Sequence, residues 1–100
     1  QIKEMNWQGC PENLTHIHLG DNKIEEMNLE GCPKTLTTIW LYNNKIKEIN
    51  WKGCSWNLNW INLSNNQIEE INWDYCPENL TEIFLGYNQI KELRVITWKG

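Results

Sequence analysis

The groups in this chain whose types could do chemistry are four cysteines, two histidines and a set of exposed-slot aromatics and carboxylates. Cys10, Cys32, Cys54 and Cys76 recur at a constant spacing of 22 residues. No C-x-x-C occurs, and side chains stacked in phase form a row where zinc wants a tetrahedron, so no metal is expected there. His16 and His18 stand two apart with Asp21 close by, a set that could ligate a metal or line a binding face. They have no counterpart elsewhere in the chain and no evident supporting group, so the binding-face reading is preferred. Neither a Ser-His-Asp nor a Cys-His set can be assembled, and no glycine-rich phosphate loop is present, so no catalysis and no cofactor are expected. Glu4, Glu26, Glu48, Glu70 and Glu92 recur as a carboxylate column. Such a column could hold calcium, but a solvated acidic ridge is the expectation.

These residues are positioned by an internal repeat. The chain reads as four copies at 2–23, 24–45, 46–67 and 68–89, followed by a fragment at 90–100, with a period of 22 and no insertion between copies. A drift-free period predicts one domain over 1–100, built as a solenoid in which like residues stack above like. Leu14, Leu36, Leu58 and Leu80 each open a stretch ending in I-x-L (Ile17 to Leu19, Ile39 to Leu41, Ile61 to Leu63, Ile83 to Leu85). That alternation has period two and predicts a short strand with one face inward. Asn22, Asn44, Asn66 and Asn88 follow where the coil must bend, and an amide there can bond the backbone. Ile24, Met27 and Leu29, with their equivalents, point inward again. The I-N-W triplets at 49–51 and 71–73 alternate too and suggest a second short strand on the outer side. Trp7, Trp51 and Trp73 share a slot with Leu29, which reads as core. The cysteines are expected in the core as free thiols. Coils about 4.8 Å apart satisfy the Cα range of a disulfide, but the Cβ vectors should run side by side.

The pattern L-x-x-I-x-L-x-x-N-x-I-x-x-I, present from Leu14 to Met27, Leu36 to Ile49, Leu58 to Ile71 and Leu80 to Leu93, resembles the leucine-rich repeat. The W/L-x-x-C step, from Trp7 to Cys10 and its three equivalents, looks like the F-x-x-C step of BspA-like leucine-rich repeats, with Cys to Leu one residue longer. The resemblance implies an α/β-class right-handed solenoid with a parallel sheet on its concave face, mostly β and loop with little or no helix. By analogy of fold it also implies a non-catalytic scaffold for protein–protein interaction.

Outward strand slots on the concave side collect His16, His18, Asp21, Trp40, Tyr42, Trp60, Asn62, Glu82, Phe84 and Tyr87 as the candidate ligand-binding residues. They vary where the core slots repeat, and five are aromatic; aromatics anchor interfaces but also simply suit a pleated sheet. A four-strand sheet of this kind measures roughly 320 Å2 in projection, against about 800 Å2 per partner in a standard interface. The expected occupant is therefore a protein segment or peptide, with a glycan as an alternative.

Lys3, Glu25, Lys47, Glu69 and Lys91 alternate in sign from copy to copy, an arrangement that favours the stacking register. Arg94 and Val95 break the pattern in the last fragment, where Trp98 reads either as a closing cap or as part of a three-residue insertion. An uncovered coil edge would be filled by further repeats of a longer parent or by head-to-tail self-association into a filament. Net charge is −4, which argues against nucleic acid as the main partner. No apolar run approaches the ~18 residues of a membrane helix, and no secretory leader is visible at the start. Free thiols favour a reducing compartment. The sequons at Asn13, Asn62 and Asn79 leave a cell-surface or extracellular setting open.

Overall fold

The computed structural model describes residues 2–90. Its elements are six three-residue strands: β1 (His16–His18), β2 (Glu26–Asn28), β3 (Thr38–Trp40), β4 (Glu48–Asn50), β5 (Trp60–Asn62) and β6 (Glu82–Phe84). There is no helix among the described residues. β1, β3, β5 and β6 form a four-stranded parallel sheet in that order, while β2 and β4 pair as a second parallel sheet.

The register is the repeat made visible. Ile17 lies beside Ile39, Ile39 beside Ile61 and Ile61 beside Ile83. A one-residue slip would turn each inward Ile outward, so a buried face fixes the pairing. Ile39 and Ile61 are fully buried, as are Leu36, Leu41, Leu58, Leu63, Ile24, Ile46, Ile68 and Leu80. Trp51 and Trp7 join this core, and Trp73 packs against it. The planes of Trp51 and Trp73 lie 10° apart, with ring centroids at 6.3 Å.

Asparagine closes each bend. Asn44 Nδ2 donates to the carbonyls of Leu41 and Tyr42 and to that of Leu19, 25 residues back, while its Oδ1 accepts the Ile24 N–H at 3.0 Å. Asn66 repeats every one of these bonds on Leu63, Ser64, Leu41 and Ile46. A buried backbone N–H left unpaired is costly, so a side chain that both donates and accepts suits this slot. A second asparagine column does different work. The Oδ1 atoms of Asn6, Asn28, Asn50 and Asn72 accept the N–H two residues on, in Gln8, Glu30, Lys52 and Asp74. This is the local turn that Asx side chains favour. The outer half of each coil then makes two successive tight turns. In the second copy Cys32 N–H bonds Leu29 O, and Leu36 N–H bonds Pro33 O.

Two expectations are corrected. The outer strands are Glu26–Asn28 and Glu48–Asn50, one residue earlier than I-N-W at 49–51, and no strand forms at 71–73. Asn50 turns back to bind Lys52, so Trp51 already belongs to the turn, and its carbonyl accepts the Cys54 N–H. Second, only Cys32 is buried; Cys10, Cys54 and Cys76 are partly exposed because they edge the core from that turn. Cys32 Sγ donates to Gly53 O at 3.8 Å and Cys54 Sγ to Ser55 O at 3.5 Å. All four cysteines are free. Lys3, Glu25 and Lys47 line a shared groove with Glu4, Glu26 and Glu48. Lys91, Glu92, Arg94, Val95 and the cap reading of Trp98 lie outside the described residues.

Candidate functional site

The outward face of the four-stranded sheet carries a run of rings. The alternation of each strand sends its central Ile to the core and its first and third residues outward. His18 and Trp40 are register partners on β1 and β3. Their rings stack with centroids 3.9 Å apart and planes 8° from parallel. His16 also stacks on Trp40, at 5.9 Å and 25°. Trp60 occupies the first position of β5 and not the third, so it meets Trp40 diagonally, at 5.1 Å and 50°. Phe84, back in the third position on β6, meets Trp60 at 5.2 Å and 51°. Diagonal neighbours on a sheet are within reach of aromatic side chains. A zigzag from His18 to Phe84 thus crosses all four strands. Trp40 and Trp60 are half-buried, while His16, His18 and Phe84 are exposed.

The other candidate residues fall beside this run or away from it. Glu82 is exposed next to Trp60 in register. Asn62 is half-buried, and its Oδ1 is taken by the Ser64 N–H at 3.0 Å. Tyr42 leaves the strand face, because β3 ends at Trp40; its ring covers Gly20, where a Cβ would lie 2.4 Å from Tyr42 Cζ. Asp21 and Tyr87 sit in the bend after the strand. They share a left-handed backbone with Asn43 and Asn65, at φ of 59, 56, 55 and 57°. Asn43 Nδ2 donates to Asp21 Oδ1 at 2.7 Å, and Asn65 Nδ2 to Asn43 Oδ1. Tyr87 ends that column 88% exposed. Asp21 is therefore engaged apart from His16 and His18, which share Trp40. His16 Nδ1 contacts Thr15 Oγ1 at 2.9 Å, His18 stacks on Trp40, and Asp21 anchors an amide ladder.

Two features escaped the sequence reading. Trp56 is 62% exposed away from the ring run, with the Lys34 ammonium 5.3 Å from its ring centroid. The Asp21–Asn43–Asn65 ladder was also missed, although three short amide-or-acid side chains in one bend slot are the signal for a left-handed position.

Comparison with known families accords with this architecture. Residues 12–53 match the family described as "Leucine Rich repeats (2 copies)", and residues 57–77 match "Leucine Rich Repeat". The chain belongs to the leucine-rich repeat family, and the 22-residue spacing of its coils is that of the family's repeat. Domains of this family generally mediate protein–protein interaction and are typically non-catalytic. No curated protein and no solved structure matched the chain in the same comparisons. No helix among the described residues is long and apolar enough to cross a membrane.

Proposed function

We propose that the chain is a non-catalytic interaction scaffold whose sheet face docks an extended segment of a protein partner across the rings of His18, Trp40, Trp60 and Phe84. The observation that supports this reading is the unbroken ring contact across four strands, with the edges of half-buried indoles open to solvent. Rings already ordered by their neighbours lose little side-chain freedom on binding, which favours affinity. Thr38, Asn62 and Glu82 border the rings with polar groups that can meet a peptide backbone. The test is selection from a phage-displayed random peptide library, followed by calorimetry on an enriched peptide. The Trp40→Ala/Trp60→Ala protein should bind that peptide at least ~10-fold more weakly, a loss of about 1.4 kcal/mol. Trp56→Ala should leave the affinity alone. Equal affinity of the double variant would remove the assignment. Enrichment on a glycan array with no peptide hits would favour the carbohydrate alternative.

A second reading, end-to-end self-association, draws on an apolar groove of about 230 Å3 lined by Ile2, Met5, Trp7, Ile17 and Leu19, together with Glu4 and Asn6. Another coil of the same spacing fits such a groove, whether it comes from the same chain or from a second copy. Sedimentation over a concentration series separates the two readings. A fixed small species supports the scaffold alone, and open-ended growth that Met5→Glu blocks supports stacking.

A further inference from the structure

Repetition makes an exception visible on the side of the coil that carries β2 and β4. Trp7 and Trp51 hold the same slot of the period. Trp7 Nε1 donates to Asn28 O, 21 residues on, at 2.8 Å. The equivalent acceptor for Trp51 is Asn72 O, and that bond is not made. Among the described residues Trp51 Nε1 is the one buried side-chain nitrogen or oxygen with no hydrogen-bond partner. Trp51 is 1% exposed, and a buried indole N–H ordinarily finds an acceptor. Trp51 and Asn72 both line a groove of about 730 Å3 between the third and fourth coils. The outer sheet stops at this groove. β2 pairs with β4, but 70–72 adds no third strand, so β4 is an edge. Such an edge is a template for another strand. Glu48, Glu70 and Asp74 also line the groove, and no lysine or arginine does. All three carboxylates are exposed.

We propose that this groove binds an extended basic segment of a partner protein, added to the β4 edge as the third strand of the outer sheet. The site lies apart from the ring face and stands whether or not that face binds. A main-chain carbonyl of the segment takes the place that Asn28 O holds beside Trp7 and accepts the Trp51 N–H. The neighbouring main-chain groups pair with β4, since strand addition draws its affinity from the backbone and its specificity from alternate side chains. Alternation sends every second side chain inward, toward Ile49 and Ile71, and the others outward to the carboxylates. Lysine or arginine at the outward positions and a β-branched residue at the inward ones complete the match. Other ligand classes satisfy only half of it. A small cation meets the carboxylates and leaves the indole donor unpaired. An anion meets the donor and is repelled by three like charges.

The experiment titrates the full, isotope-labelled chain with a blocked hexapeptide of alternating lysine and valine and follows it by NMR. A peptide with glutamate for lysine and the polyamine spermidine serve as comparisons. The lysine peptide should bind and move the Trp51 Nε1–H resonance downfield as it gains an acceptor. The glutamate peptide should bind at least ~10-fold more weakly, and spermidine should leave the Trp51 signal in place. Glu70→Lys/Asp74→Lys changes two exposed side chains and should weaken the lysine peptide at least ~10-fold. Glu12→Lys/Glu78→Lys makes the same change of charge outside the groove and should cost less than ~3-fold. An unmoved Trp51 signal at saturation, a Trp51 shift produced equally by spermidine, equal affinity for the two peptides, equal losses from the two double variants, or no binding of the lysine peptide at ~1 mM overturns the proposal.

Discussion

The phenol ring of Tyr42 occupies the space into which a side chain at Gly20 would project, so that a Cβ on Gly20 would meet Tyr42 Cζ at 2.4 Å and both Cε atoms at 2.7 Å. The two residues hold equivalent slots one period apart, and Ser64 and Gly86 hold the same slot in the later copies. Gly20→Ala should therefore force the ring outward and destabilise the fold by about 1–3 kcal/mol, the range for overpacking. Tyr42→Ser, which supplies the residue of the third copy, should absorb most of that penalty. A double-mutant cycle from denaturant midpoints reads the coupling. A neutral Gly20→Ala would show that the ring does not hold this place.

Asn66, like Asn44, commits its amide to four hydrogen bonds in the interior. Alanine there would leave the N–H of buried Ile46 unpaired and take one of two amide donors from the carbonyls of Leu41 and Leu63, which Asn44 and Asn88 still reach. A loss of about 1–3 kcal/mol is expected, since an unpaired buried group bears its full desolvation. Asn22→Ala should cost less, because Asn22 is half-buried and its Oδ1 serves the exposed Ile2 N–H. Thermal unfolding of the two variants should rank them in that order. The reverse order would contradict the role given to the amide column.

Tyr75 has φ of 66°, in a slot where the earlier copies place Gly9, Gly31 and Gly53 at 79, 92 and 78°. A non-glycine residue in this region carries about 1–2 kcal/mol of strain, and glycine's larger unfolded-state entropy returns part of any gain. Tyr75 is 73% exposed, so its ring contributes little packing. Tyr75→Gly should raise stability by roughly 1 kcal/mol. A lower urea midpoint would mean that the tyrosine makes contacts outweighing its backbone strain.

Alkaline pH offers a test of the cysteine row. Burial raises Cys76 to about 11, whereas an unfolded thiol ionises near ~8.5. Between those values the unfolded chain has lost the proton and the folded chain has kept it. Stability contributed by this group is thus complete below ~8.5 and falls as pH climbs toward 11. Cys76→Ala should show a shallower alkaline decline than the parent protein, with the difference confined to that window. Parallel curves would indicate that the thiol is as hydrated in the fold as out of it.

The solenoid was legible because its physics repeats. The I-x-L alternation and the Asn22 column gave the strand, its inward face and the bend, and these are the features that pair Ile17 with Ile39 and close Asn44 on Leu19. The face itself was only partly legible. Trp40 and Tyr42 have the same parity, but the strand ends between them, and parity carries no meaning beyond a strand's end. Tyr87 lies past the end of β6 in a left-handed bend, where strand parity no longer applies. The outer strand was displaced by one residue because Asn50 competes for the backbone, a local bond that hydrophobic alternation does not register.

The asparagine clamps span 20 and 25 residues, never fewer than needed to reach the neighbouring winding and never enough to reach the one beyond. Every winding is therefore an interchangeable cassette. Excising 46–67 as a block would bring Lys45 to Ile68, and Asn88 would find in Leu41 the same kind of carbonyl it now takes from Leu63. A gene of this design can lengthen or shorten by unequal crossing-over without passing through a misfolded intermediate, so long as the exchange counts in whole periods.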